Sequence, residues 1–149
     1  MRPVLQVALD LMHLKRALEI ASEAVEGGAD WIEAGTPLIK SEGADALRQL
    51  KKAFPGHVIV ADMKTMDVGS FEVEIAAKAG ADVISVLGLA DDGTVHEAVL
   101  SARQYGAKVM VDLIGTEDKV SRARRAEELG ASLVCLHVGI DEQMKGGAA

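Results

Sequence analysis

Gly106-Ala-Lys-Val-Met-Val-Asp112 opens on a glycine, runs through apolar and β-branched residues, and stops at a carboxylate. The glycine suits a left-handed helix end, and the run after it suits a strand. Four more stretches share this shape: Gly28-Ala-Asp-Trp-Ile-Glu33, Gly56-His-Val-Ile-Val-Ala-Asp62, Gly80-Ala-Asp-Val-Ile-Ser-Val86 and Gly130-Ala-Ser-Leu-Val-Cys-Leu-His137. Their glycines recur at steps of 24 to 28 residues, room for one strand and one helix in each unit.

With the N-terminal run included, the pattern predicts six strands: Val4–Leu9, Trp31–Glu33, Val58–Ala61, Val83–Leu87, Val109–Val111 and Leu133–Leu136. Nearly continuous apolar runs fit a parallel sheet covered on both faces. Helices fill the gaps. Residues 13–26 place Leu14, Leu18, Ala21 and Val25 on one face, and residues 95–105 do the same with Val95, Ala98, Val99 and Ala102. Thr94 and Glu97 form a capping-box pattern ahead of the second of these. Residues 117–129 start acidic, carry Arg122, Arg124 and Arg125 later, and turn Val120, Ala123, Ala126 and Leu129 inward.

Alternating βα units build either a doubly wound sheet or a (β/α)8 TIM barrel. The doubly wound dinucleotide fold needs a glycine-rich turn after its first strand, and here Leu9 runs into Asp10-Leu-Met-His13. The strand ends favour the barrel. Asp10, Glu33, Asp62, Asp112 and His137 close five of the six runs, at the end of the strands where barrels assemble their sites. One such residue alone reads as a helix cap or a solvated loop side chain; five in the same place read as a site. We therefore expect a single (β/α)8-type domain over 1–149 that holds six of eight units and is incomplete at its C-terminus.

The composition narrows the partners. The chain has 149 residues, a net charge of −7 and 3% aromatics, which argues against binding nucleic acid by its backbone or by base stacking. No run reaches the ~18 apolar residues of a membrane span, and the opening Met1–Asp10 is too short for a signal peptide, so we expect no membrane partner and a cytoplasmic location. Cys135, the one cysteine, excludes an internal disulfide and reads as a buried, inert thiol. His13, His57 and His96 lack ligand spacing and read as surface residues.

The segment richest in chemistry is Asp62-Met-Lys64-Thr65-Met-Asp67. Alternation along a strand brings Asp62 and Lys64 to one face. Such a pair can bind a metal or polarise an oxyanion, and it can equally be a structural ion pair. Asp112 is expected either to line the site and touch substrate or to support a neighbour.

Asp-x-Lys-Thr-x-Asp, with Asp10 and Glu33 before it and Val86–Asp92, Val111–Gly115 and His137–Asp141 after it, resembles the orotidine monophosphate decarboxylase superfamily. Within it the chain is more similar to the 3-hexulose-6-phosphate synthase family than to the sister 3-keto-L-gulonate-6-phosphate decarboxylases. The resemblance implies Glu33 and Asp62 as magnesium (Mg²⁺) ligands and Lys64 as the charge beside an enediolate. It implies His137 as the proton-transfer group and Asp67 as a residue delivered across a homodimer interface. Asp10 is implied to orient Lys64 or the substrate hydroxyls. The implied reaction is an aldol condensation of formaldehyde with ribulose 5-phosphate through a Mg-stabilised enediolate. The alternatives are the sister decarboxylation, or a non-catalytic barrel fragment that pairs with another chain. The family grips phosphate with loops after strands 7 and 8, which have no counterpart in this sequence.

Overall fold

The structure, a computed structural model, describes residues 2–146. Six strands form one sheet: β1 (Gln6–Leu9), β2 (Trp31–Ala34), β3 (Val58–Thr65), β4 (Val83–Leu87), β5 (Lys108–Asp112) and β6 (Leu133–Cys135). Between and after them lie α1 (Leu14–Glu26), α2 (Thr36–Glu42), α3 (Asp45–Ala53), α4 (Gly69–Lys78), α5 (Asp92–Gln104), α6 (Lys119–Glu128) and α7 (Ile140–Met144). The strands lie in chain order β1-β2-β3-β4-β5-β6, and every neighbouring pair is parallel. A doubly wound sheet reverses its order at a switch point. An order that never reverses is that of a barrel wall, so the molecule is a partial TIM barrel of six units, as its sequence predicts.

The repeated glycines do what their spacing suggests. Gly28, Gly80, Gly106 and Gly130 take positive φ values of 99°, 102°, 70° and 94° just past their helices, where a Cβ would be strained. Gly56 does not share this conformation. In Gly28-Ala-Asp30 and Gly80-Ala-Asp82 the aspartate ties the strand before it: Asp30 accepts from the Leu5 amide and Asp82 from the Ile59 amide, at 2.9 and 2.7 Å. These bonds lie at the opposite end of the wall from the residues that close the strands.

Two local expectations are corrected. The unit between β2 and β3 holds two helices, because Gly43 at φ 67° breaks the segment after α2. The Thr94 capping box does not form: α5 starts at Asp92, two residues earlier. Arg122 and Arg125 of α6 both bond the Asp92 carboxylate and draw it into the first turn, where an acid also suits the helix dipole.

The core lies between sheet and helices. Leu9, Ile32, Ile59, Ile84 and Val111 from the strands meet Ala17, Leu38, Leu47, Val73 and Val95 from the helices, all fully buried.

Candidate active site

The centre of the site is an irregularity in β3. Ala61 pairs with Ile84 and Thr65 with Val86, so four steps along β3 face two along β4. The surplus is taken up by a bulge in which Lys64 adopts φ 49°, an unfavourable conformation for a side-chain-bearing residue. Simple alternation predicts that Asp62 and Lys64 meet, and they do, but it is this turn of the backbone that carries the lysine. Lys64 Nζ donates to both carboxylate oxygens of Asp62, at 3.0 and 2.8 Å, and to Asp112 Oδ2 at 3.1 Å.

Buried polar partners hold this arrangement. Ser85, wholly buried on β4, donates to Asp62 Oδ1 at 2.8 Å and accepts the Lys64 amide at 2.9 Å. Thr36 Oγ1, at the start of α2, lies 2.8 Å from Asp62 Oδ2. On the other flank the ring of His137 places Nδ1 2.8 Å from Asp112 Oδ2, and the Ile114 amide donates to Asp112 Oδ1 at 2.9 Å. A continuous path of hydrogen bonds thus runs His137–Asp112–Lys64–Asp62.

Electrostatics follow from these contacts. Burial works to raise the Asp112 pKa, but the hydrogen bonds from His137, the Ile114 amide and Lys64 outweigh it and keep the carboxyl below the usual range. Burial likewise pulls against the Lys64 charge, and Asp62 and Asp112 overcome it, holding the ammonium above the ordinary lysine value. Glu33 is different. Burial first, and the neighbouring Asp62 second, push its carboxyl up to about 7, against which a Gln6 side-chain bond and the Lys64 charge pull only in part.

These groups face a cavity of about 940 Å³ at the C-terminal end of the strands. Asp10, Glu33, Asp62, Lys64, Asp112 and His137 all line it, so six of the seven residues singled out in the sequence come together. Asp67 does not. It is exposed on the loop between β3 and α4, where its Oδ1 accepts the Val68 amide at 2.7 Å. Asp10 lines the cavity above Gly35, where an added Cβ would come within 2.1 Å of the Asp10 Oδ1, but the ammonium of Lys64 is held by Asp62 and Asp112 instead. Cys135 is a half-buried wall residue of the cavity, and burial followed by the Asp112 charge raises its pKa, which keeps it a thiol. Sequence reasoning overlooked Ser85, Thr36 and Gln6, whose neutral side chains carry no signal in an apolar run or at a helix start.

Besides Lys64, no lysine or arginine lines the cavity among the described residues, against the six acids Asp10, Glu33, Asp62, Asp112, Asp141 and Glu142. No group of three or more His, Cys, Asp or Glu side chains there is arranged to hold a metal by itself. A magnesium ion asks less of a protein, since one or two carboxylates suffice when substrate oxygens and water complete its shell. Glu33 and Asp62 fit that requirement, since both carboxylates line the cavity where substrate oxygens and water would complete the shell.

Residues 3–149 match the pattern of the family described as Orotidine 5'-phosphate decarboxylase / HUMPS family. The chain belongs to that family. It is 51% identical over 143 residues to a 3-hexulose-6-phosphate synthase of Mycobacterium gastri, covering 96% of this chain and 69% of the relative. A crystal structure of a 3-hexulose-6-phosphate synthase superposes with a TM-score of 0.96 at 50% identity, over 99% of this chain and 70% of that one. The 3-keto-L-gulonate-6-phosphate decarboxylase of Vibrio cholerae follows with a TM-score of 0.89 at 32% identity, over 98% of this chain and 67% of that one. The chain therefore spans about two-thirds of these relatives' length, with the fold of a family of carbon–carbon lyases. No helix among the described residues is long and apolar enough to cross a membrane.

Proposed function

We propose that this chain carries the catalytic floor of an aldol lyase that joins formaldehyde to ribulose 5-phosphate, giving a 3-hexulose 6-phosphate. The observation that carries the reading is the hydrogen-bonded path His137–Asp112–Lys64–Asp62 on the floor of an acidic cavity. The names of the relatives support a phosphorylated-sugar substrate, and the higher identity to the synthases supports that reading over the decarboxylase one.

The chemistry follows from the partners. Asp112, held ionised, accepts the Nδ1 proton of His137, so in the neutral ring Nε2 carries the free electron pair. That nitrogen is the base that removes a proton from the carbon beside the sugar's carbonyl. Negative charge then collects on the sugar oxygens, and the Lys64 ammonium lies on the cavity floor to meet it. The enediolate carbon attacks the carbon of formaldehyde, a carbon–carbon bond forms, and the former formaldehyde oxygen takes up a proton. Glu33 and Asp62 would hold a magnesium ion, whose chemistry is to polarise the carbonyl and hydroxyl oxygens of the sugar.

Asp67, outside the cavity, fits a role in a homodimer. It sits among exposed Met66, Val68 and Phe71, an apolar surface that a second copy of the chain would cover and from which Asp67 would enter the partner's site.

The test is a paired product assay. Formaldehyde-dependent loss of ribulose 5-phosphate, with no release of carbon dioxide from 3-keto-L-gulonate 6-phosphate, is the expected result. The reverse pattern transfers the site to the sister reaction. Neither activity, in a folded chain given millimolar substrate and magnesium, leaves the non-catalytic reading.

A further inference from the structure

We propose that Ser85 is a positioning residue, whose hydroxyl sets Asp62 and Lys64 in their working geometry; this rests on the aldol reading of the same site. Ser85 lies on β4 between Ile84 and Val86, the two residues that pair with Ala61 and Thr65 at either end of the bulge. It therefore faces the one stretch of β3 that has left the ladder. There the amide of Lys64 has no strand partner, and Ser85 Oγ accepts it at 2.9 Å. The same hydroxyl spends its single proton on Asp62 Oδ1 at 2.8 Å. One buried oxygen thus fixes the backbone from which Lys64 departs and the carboxylate to which its ammonium returns.

The arrangement is over-determined for a reason. A residue at φ 49° persists only where its surroundings hold it. On its far side Thr65 re-enters the ladder opposite Val86, and its hydroxyl bonds Glu72 of α4. On its near side Ser85 is, among the described residues, the one side chain that hydrogen-bonds both Asp62 and the Lys64 amide. Without the hydroxyl the bulge can relax toward a regular strand, which would rotate Lys64 away from Asp62 and Asp112. A displacement of about 1 Å at such a group is enough to cost turnover heavily. Ser85 touches no cavity space itself, so it acts through its two neighbours and not on substrate.

The test compares Ser85→Thr with Ser85→Val, which share a shape and differ in the hydroxyl, with Ser85→Ala alongside. Two readouts are taken: hydrogen exchange of the Lys64 amide by NMR, and kcat and KM for the aldol reaction. In Ser85→Val and Ser85→Ala the Lys64 amide should exchange about tenfold faster or more, while amides of β5 stay unchanged. In both, kcat should fall about tenfold or more with KM little changed, and Ser85→Thr should restore both readouts. Unchanged Lys64 protection in Ser85→Val, or a kcat equal to that of Ser85→Thr, overturns the proposal. If the parent chain shows no aldol turnover, the aldol reading fails on its own and the Lys64 amide alone decides for or against Ser85.

Discussion

The middle of the sheet and its last strand are built to different standards. Four of the five residues of β4 are buried, and around it Asp62, Ser85 and Asp112 are at most 7% exposed. In β6 no residue is fully buried, Val134 is 43% exposed, and Leu136 just beyond it is 77% exposed. The charged floor of the cavity thus hangs from the rigid centre, where packing holds costly features such as the Lys64 bulge in place. His137 hangs from the open edge, with its side chain 30% exposed, and is tied back to the centre through Asp112. The groups proposed to stabilise charge come preassembled, whereas the β6 side offers His137, the proposed proton-transfer group, at a more exposed position.

The largest effect expected at the centre is that of Lys64→Ala. Turnover should fall about 10²-fold or more, the scale of a lost oxyanion partner. The geometry adds a cost in stability, because Asp62 and Asp112 would face each other without their shared cation. We expect a loss of about 1–3 kcal/mol, read as a fall of several degrees in melting temperature. A variant that melts lower yet keeps its turnover would make the lysine purely structural.

A smaller effect separates binding from chemistry. Asp62→Asn should weaken magnesium about tenfold or more, about 1.4 kcal/mol, by calorimetry. Equal binding by variant and parent would remove Asp62 from the ligand set.

The smallest effect is one of pH. Glu33 holds its proton up to about pH 7 in the folded chain, against an ordinary value of 4.5. Between those values the folded state binds more protons than the unfolded one, so without magnesium stability should decline as pH rises from about 4.5 to 7. The decline should be on the order of 1–2 kcal/mol, discounted for the group's contact with solvent. Glu33→Gln should flatten that slope, and so should saturating magnesium. Denaturant titrations across the range would show it, and an equally steep slope in Glu33→Gln would point to another group.

Much of this was legible in the residues. The glycine-led repeat and the N-terminal run yield six strands in chain order, the acids and histidine that close five of them yield five members of the site, and Lys64, one alternation past Asp62, is the sixth, because strand period and strand ends leave marks in sequence. What stayed hidden depends on contacts between units. The left-handed turn at Lys64 has no local signature, since a lysine there is stable only with Ser85 and Thr65 around it. The start of α5 is set by Arg122 and Arg125 from the next helix, which outcompete the nearby Thr94 pattern. Ser85 and Thr36 look like any hydroxyl in a strand or a first helical turn until the fold brings them to Asp62.

The contrast between a finished centre and a bare edge is tested most directly by the dependence of aldol turnover on ribulose 5-phosphate concentration in the 149-residue chain. Among the described residues, the cavity offers a phosphate one ammonium and six acids. Missing several charge-assisted hydrogen bonds, at about 1.5–3 kcal/mol each, should weaken sugar binding by about 10³-fold or more. Formaldehyde-dependent turnover should therefore emerge only at millimolar sugar, and should shift to low concentrations when two further βα units cover the β6 edge. Full turnover by the 149-residue chain at micromolar ribulose 5-phosphate would contradict the account.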